Sequence, residues 1–207
     1  MGRRRLLFGG TFDPPHRAHL ELPRIAADAV GAEEVVYVPA ARNPLKQDAE
    51  QSAGEHRLRM LELALAGRPG VRIATVELDR GGPSWWVDTL ELLAAAGDPG
   101  DRLLFLIGAD QALDFHRWRE WPRILELAEP VVMARPPLDR RGLEAAFRRR
   151  YEPREAAWWA ERIVEVPAVD ASATEARRRI AAGEPVDDLV PPAVAEYART
   201  HGLYRAG

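Results

Sequence analysis

Gly9 and Gly10 close a short apolar run, and two histidines, His16 and His19, follow shortly after. Paired glycines behind a strand let the backbone turn sharply and approach a ligand with no side chain in the way. A helix that opens at such a turn presents unpaired N–H groups and the positive end of its dipole, a combination that attracts anions. His16 and His19, three residues apart, share one face of that helix start. Such a pair suits metal ligation, ordinary packing or hydrogen bonds to phosphate oxygens. A zinc site needs further His or carboxylate ligands, and the HExxH pattern is absent. With the glycines and the helix start alongside, phosphate is the favoured partner.

A second place in the chain offers the same chemistry. Ser172 suits the cap of a helix, which leaves that helix's first amides and Thr174 for an anion, with Arg177 one turn further on. Ser172 and Glu175 also have the spacing of a capping box, and the two readings are compatible. Lys46 is the one lysine among 29 lysines and arginines. That bias reflects a GC-rich genome first, and a local role for the solitary lysine second. The run Arg148–Arg150 reads as a solvated helix face.

The elements that must carry these residues alternate between strand and helix. Leu6–Phe8, Val35–Val38, Leu103–Ile107 and Val131–Ala134 are short apolar or β-branched runs of the kind found in buried strands. Further strands are expected at Val71–Glu77 and Ile163–Val166. Ala18, Leu22, Ile25, Ala26 and Ala29 recur at helical spacing, with Asp13 as cap, Pro14 or Pro15 in the first turn, Pro23 as a kink and Gly31 as the stop. Helices are also predicted over Glu55–Ala66, Asp88–Ala96, Thr174–Ala182 and Ala193–His201. Residues 136–160 are the least regular stretch. Strands separated by helices of this length imply an α/β fold: a Rossmann-like, doubly wound parallel sheet with helices on both faces and right-handed crossovers. Ligands are then expected beyond the C-terminal strand ends.

With 207 residues the chain is expected to form a single domain, 170–207 being a helical C-terminal part with the second anion site. Hydrophobic residues make up 46%, which supports a real core, and a net charge of −3 argues against a coat for nucleic acid. No cysteine is present, which removes disulfides, thiolate metal sites and thiol catalysis together. No apolar run reaches the length of a membrane span, and LLF is too short for a signal-peptide core. A cytoplasmic protein is expected, bound neither to membrane nor to nucleic acid; a homo-oligomer stays open.

GGTFDPPHRAH at 9–19 resembles the (T/S)FDPxHxGH motif of the nucleotidylyltransferase superfamily. Four further segments resemble the bacterial nicotinate mononucleotide adenylyltransferases in order: VPAARNPLK at 38–46, LDRGGPSWWVDTL at 78–90, LIGADQALDFHRW at 106–118 and the C-terminal VPPAVAEYARTHGLYR at 190–205. SATEARRRI at 172–180 looks like the second superfamily signature, ISSTxxR. The resemblance spans nearly the whole chain and fails mainly at 136–160.

It implies adenylyl transfer from ATP to nicotinate mononucleotide, giving nicotinate adenine dinucleotide and pyrophosphate in NAD biosynthesis, with Mg2+ accompanying ATP and no protein metal site. Gly9, Gly10, Thr11 and Phe12 would line the ATP site, with Ser172 and Thr174 at its phosphates. His16 and His19 would contact those phosphates, His19 at the α-phosphate. Lys46 would bind the mononucleotide phosphate or the transferring one, and Arg177 would act at the second anion grip. Gly108 and Asp110 would border the adenosine. Ser84, Trp86 and Thr89 belong to the segment for the nicotinate carboxylate, and Trp118 would stack on the pyridine ring. Four departures stand out: Ala18 for glycine, Leu45 for histidine, Trp86 for threonine and Ala173 for serine. Phosphopantetheine adenylyltransferase is the nearest rival, opposed by His16 and by the SWWVDTL segment. Trp86 leaves the choice between nicotinate and nicotinamide mononucleotide open, and a cytidylyltransferase and a non-catalytic nucleotide sensor are weaker rivals.

Overall fold

The computed structural model describes residues 2–42, 51–136 and 138–205. Its elements are β1 (Arg4–Gly10), α1 (Arg17–Val30), β2 (Glu34–Pro39), α2 (Gly54–Leu65), β3 (Val71–Ile73), α3 (Val76–Arg80), α4 (Trp86–Ala95), β4 (Arg102–Gly108) and α5 (Ala109–Leu113). A 3-10 turn (Phe115–Arg117) leads on to α6 (Trp121–Leu127), β5 (Glu129–Ala134), α7 (Arg140–Arg150), α8 (Pro153–Ala160), β6 (Ile163–Glu165), α9 (Ala173–Ala182) and α10 (Pro192–Thr200). The strands form one six-stranded sheet in the order β3-β2-β1-β4-β5-β6. Leu6 lies opposite Leu104, Ile107 opposite Val132 and Val132 opposite Ile163, all in parallel register. This is the doubly wound α/β architecture expected from the alternating pattern, with the strand order reversing between β1 and β4.

Two compact units divide the chain. The first comprises Met1–Phe8, Pro23–Val36 and Trp85–Ala168. Its strands are buried on both faces, as their continuous apolar sequences require: Leu6, Leu7, Val35, Val36, Phe105, Ile107 and Val132 are all at most 3% exposed. Arg5 meets Asp101 at 2.7 Å, and Asp101 also accepts from the Arg3 amide. Within the stretch 136–160, irregular by composition, residues 140–160 fold as the α7–α8 hairpin. Leu143, Phe147, Ala156 and Trp159 point inward at helical spacing, while Arg148, Arg149 and Arg150 form a solvated last turn. Trp159 stacks against Phe147 and Tyr151 and meets Phe115 edge-on. The Tyr151 hydroxyl donates to the carbonyls of Ala112 and Leu113, which ties this hairpin to the end of α5. Burial pushes the Tyr151 phenol up to about 12, so it stays a donor.

The second unit comprises Gly9–Leu22, Tyr37–Ser84 and Val169–Gly207. Here α10 packs on α2 and α9. The strand expected over Val71–Glu77 stops at Ile73, and Val76–Arg80 is helical instead. Short apolar runs carry no decisive period. Thr75 Oγ1 donates to Asp79 at 2.7 Å across the new helical turn, and Gly81 ends it at φ +67. Helix α1 begins only at Arg17, so Asp13 is not its cap and neither Pro14 nor Pro15 lies in its first turn. It runs unbroken through Pro23, which lies on the buried face, whereas Ile25 is 37% exposed.

Candidate active site

The first motif is a turn held from several sides. Strand β1 keeps both Gly9 and Gly10 and ends there. A Cβ on Gly10 would sit 2.8 Å from the Phe12 ring, so glycine is required by the protein's own packing as well as by any ligand. Phe12 takes the left-handed conformation at φ 52, which is strained for a bulky residue. Phe12 is 1% exposed, and its ring meets Tyr37 and, in a T-shaped contact, His19, the latter at 5.1 Å between centroids.

His16 and His19 are brought together as their spacing predicts. Their rings stack at 3.7 Å, and the His16 amide donates to Nδ1 of His19 at 3.3 Å. A neutral His19 ring with Nδ1 accepting carries its proton on Nε2, which makes Nε2 the donor toward an anion. Tyr37, whose phenol is pushed up by burial, donates to the His19 carbonyl at 3.0 Å and fixes the first turn of α1. Ala18, the methyl in place of a family glycine, is 5% exposed and packs inward.

Asp13 joins the two signatures. Its carboxylate accepts from the Ser52 amide at 2.9 Å and from the Tyr204 hydroxyl at 2.6 Å. Its carbonyl accepts from Nη1 of Arg177 at 2.7 Å, and Nη2 of Arg177 reaches Thr174 Oγ1 at 3.4 Å. Ser172 caps α9 by accepting from the Glu175 amide at 3.2 Å. The Glu175 carboxylate goes to Arg178 and Arg179, whose hydrogen bonds hold it down at about 2. Thus Thr174 and Arg177 start a capped helix, and Arg177 is tied directly to the histidine loop.

Arg57 is the residue that motif reading missed. It is 2% exposed, and its guanidinium donates to the carbonyls of Ser52, Thr11, Ala40 and Ala41 at 2.9, 2.9, 2.7 and 3.2 Å. The signal was present: Arg57, Met60, Leu61, Ala64 and Leu65 form the buried stripe of α2, with an arginine in the first apolar position. Burial lowers the Arg57 pKa, and the Asp13 carboxylate opposes that shift. Ser84 accepts through Oγ from the amides of Ala41 and Arg42 at 2.9 and 3.4 Å. Lys46 and Leu45 lie outside the described residues.

In the first unit, Gly108 ends β4 and its amide donates to Gln111 Oε1 at 3.0 Å. Asp110 follows in α5, exposed. Trp118 packs on Phe115 and Phe105 at 5.2 and 6.5 Å between centroids. Trp86 opens α4 near Phe105, with its indole N–H buried and without a hydrogen-bond partner among the described residues. Thr89 is fully buried, and its hydroxyl donates back to the Trp85 carbonyl. Among the described residues, no group of three His, Cys, Asp or Glu side chains could hold a metal, and no helix is long and apolar enough to cross a membrane.

The cytidylyltransferase-like family profile matches residues 7–179. The probable nicotinate-nucleotide adenylyltransferase of Bordetella pertussis is 40% identical over 212 residues, covering 99% of this chain and 100% of the relative. Its counterpart in Roseiflexus is 39% identical over 203 residues, 96% of each chain. In fold, the chain is similar to Plasmodium falciparum nicotinic acid mononucleotide adenylyltransferase complexed with NaAD, at a TM-score of 0.70 and 16% identity over 98% of this chain and 97% of that one.

Proposed function

The chain belongs to the cytidylyltransferase-like family, among the nicotinate-nucleotide adenylyltransferases, and from that premise we propose that it transfers the adenylyl group of ATP to nicotinate mononucleotide. A phosphate oxygen of the mononucleotide attacks the α-phosphorus, the bond to the β-phosphate oxygen breaks, and pyrophosphate leaves. The dinucleotide product, nicotinate adenine dinucleotide, is one step short of NAD, the step being amidation of its acid. The attacking group is already an anion, so no strong base is required. Catalysis is then alignment together with neutralisation of charge on the transferring group.

One observation carries this reading: the stacked His16–His19 pair is tied through Asp13 to Arg177 at the start of a capped helix. That arrangement is rich in anion donors and offers no activated nucleophile, as phosphoryl alignment demands. His19, with its proton on Nε2, is assigned to the α-phosphate, and His16, Thr174 and Arg177 to the remaining phosphate oxygens. Thr11 and Phe12 supply backbone to the same loop, and Lys46 is assigned to the mononucleotide phosphate. Gly108 and Asp110 are assigned to the adenosine, the carboxylate suiting ribose hydroxyls. Trp118 is assigned to the pyridine ring and Trp86 to the nicotinate-binding segment. Magnesium is assigned to enter with ATP, held by phosphate oxygens and water. The cytoplasm, where ATP and the mononucleotide are both present, is the proposed location.

The test is to incubate the protein with ATP, magnesium and one acceptor at a time, then to chromatograph the products. Nicotinate mononucleotide should give the dinucleotide. If only phosphopantetheine or nicotinamide mononucleotide is adenylylated, the acceptor assignment fails; if none is, the enzymatic reading fails.

A further inference from the structure

Arg57 presents an arrangement that folding alone does not call for. A buried arginine needs partners, and ordinarily a carboxylate supplies them. Here four N–H···O bonds go to four carbonyl oxygens from three segments: Thr11 in the first motif, Ala40 and Ala41 just beyond β2, and Ser52 ahead of α2. A guanidinium has five donors in a planar fork, so nearly its whole capacity is committed to backbone.

The Thr11 bond matters most. In a trans peptide the C=O and N–H point in opposite directions, so drawing the Thr11 carbonyl onto Arg57 turns the Phe12 N–H the other way. Phe12 is the left-handed residue of the turn, and such strain persists only where its surroundings over-determine it. Arg57 supplies the hold on the N-terminal side of Phe12. On the C-terminal side Asp13 is held by Ser52, Tyr204 and Arg177. Ser52 belongs to both holds, since its carbonyl accepts from Arg57 and its amide donates to Asp13. The Phe12 ring in turn meets the His19 ring in a T-shaped contact. A positive charge shielded from water therefore stands behind the loop, and the Phe12 N–H faces away from it.

We infer that Arg57 is a positioning residue for phosphate binding and transfer: it sets the Thr11–Phe12 peptide and, through the Phe12 ring, the attitude of His19. This rests on the reading of residues 9–19 as the ATP phosphate loop. Lysine keeps the charge but offers a single ammonium with three donors, which cannot span these four carbonyls.

Arg57→Lys, assayed well below its melting temperature and per folded molecule by circular dichroism, should lose about 100-fold in kcat, the scale expected when a reacting group is displaced by about 1 Å. Arg57→Gln, with fewer donors and no charge, should lose at least as much. A folded Arg57→Lys with the parent's kcat would overturn the inference, because packing alone would change only stability. A second measurement uses the parent chain and does not depend on the variants folding. The Arg57 guanidinium and Phe12 amide resonances should both shift on adding pyrophosphate, although Arg57 is turned toward the backbone; resonances that stay fixed while His19 shifts would overturn it. Parent protein that binds pyrophosphate with these shifts but makes no dinucleotide would refute the acceptor reading and leave Arg57 in its assigned role.

Discussion

Removing the Tyr204 hydroxyl tests whether Asp13 is a joint between the two signatures or a passive turn residue. Tyr204 donates to Asp13 at 2.6 Å, a short bond to a buried carboxylate. Burial first, and the neighbouring Asp13 second, push the Tyr204 phenol well up, so it stays a donor at any physiological pH. Tyr204→Phe deletes that one donor and keeps the ring. A hydrogen bond to a charged group contributes about 1.5–3 kcal/mol, so the variant should lose about 2 kcal/mol. In a chain of 207 residues that corresponds to a fall of about 4–8 °C in Tm. The loss should also be non-additive with Asp13→Ala, with a coupling of about 1 kcal/mol or more, since the two residues share the bond. Thermal melts of the four proteins in the cycle measure both quantities. A Tm within about 1 °C of the parent, or strict additivity, would refute the assignment of this bond as a strut of the site.

Three other outcomes follow from particular contacts. Gly10→Ala should destabilise the protein by about 1–3 kcal/mol, because its new Cβ would lie 2.8 Å from the Phe12 ring; unchanged stability by denaturant titration would show that the turn yields freely. Trp118→Ala should raise KM for the pyridine nucleotide more than KM for ATP, whereas equal changes in steady-state kinetics would make Trp118 a packing residue only. Glu175 has its carboxyl held at about 2 by Arg178 and then Arg179, below its ordinary 4.5. A depressed folded value means stabilisation that is complete above about 4.5 and lost as pH falls toward about 2. The Tm difference between the parent and Glu175→Gln should therefore close over that window, and a difference constant with pH would contradict it.

Much of this architecture is legible in the sequence, for reasons that differ by element. Leu103–Ile107 and Val131–Ala134 read as strands because a parallel sheet buried on both faces needs continuous apolar runs, and both are strands. Val71–Glu77 misleads beyond Ile73 because so short a run satisfies helix and strand alike, and the Thr75–Asp79 bond that accompanies the helical turn is a side-chain contact. In α7 the exposed arginines mask a regular inward spacing of Leu143 and Phe147, which was there to be found. His16 and His19 could be paired from spacing alone. Asp13 could not be placed, since its partners Ser52 and Tyr204 are distant in sequence and it reads locally as a helix cap. Arg57 lay between these cases: a charge on an apolar helical stripe signals a buried role, but only the fold supplies its four carbonyls.

The central claim is adenylyl transfer by the residues of the 9–19 loop. It is tested most directly with ATP radiolabelled at its α-phosphate, nicotinate mononucleotide and magnesium, comparing the parent with His19→Ala. The parent should carry the label into nicotinate adenine dinucleotide and leave the pyrophosphate unlabelled, while His19→Ala, still folded, should slow that transfer by about 100-fold or more. Label absent from the dinucleotide, or transfer at the parent's rate in His19→Ala, would contradict the account.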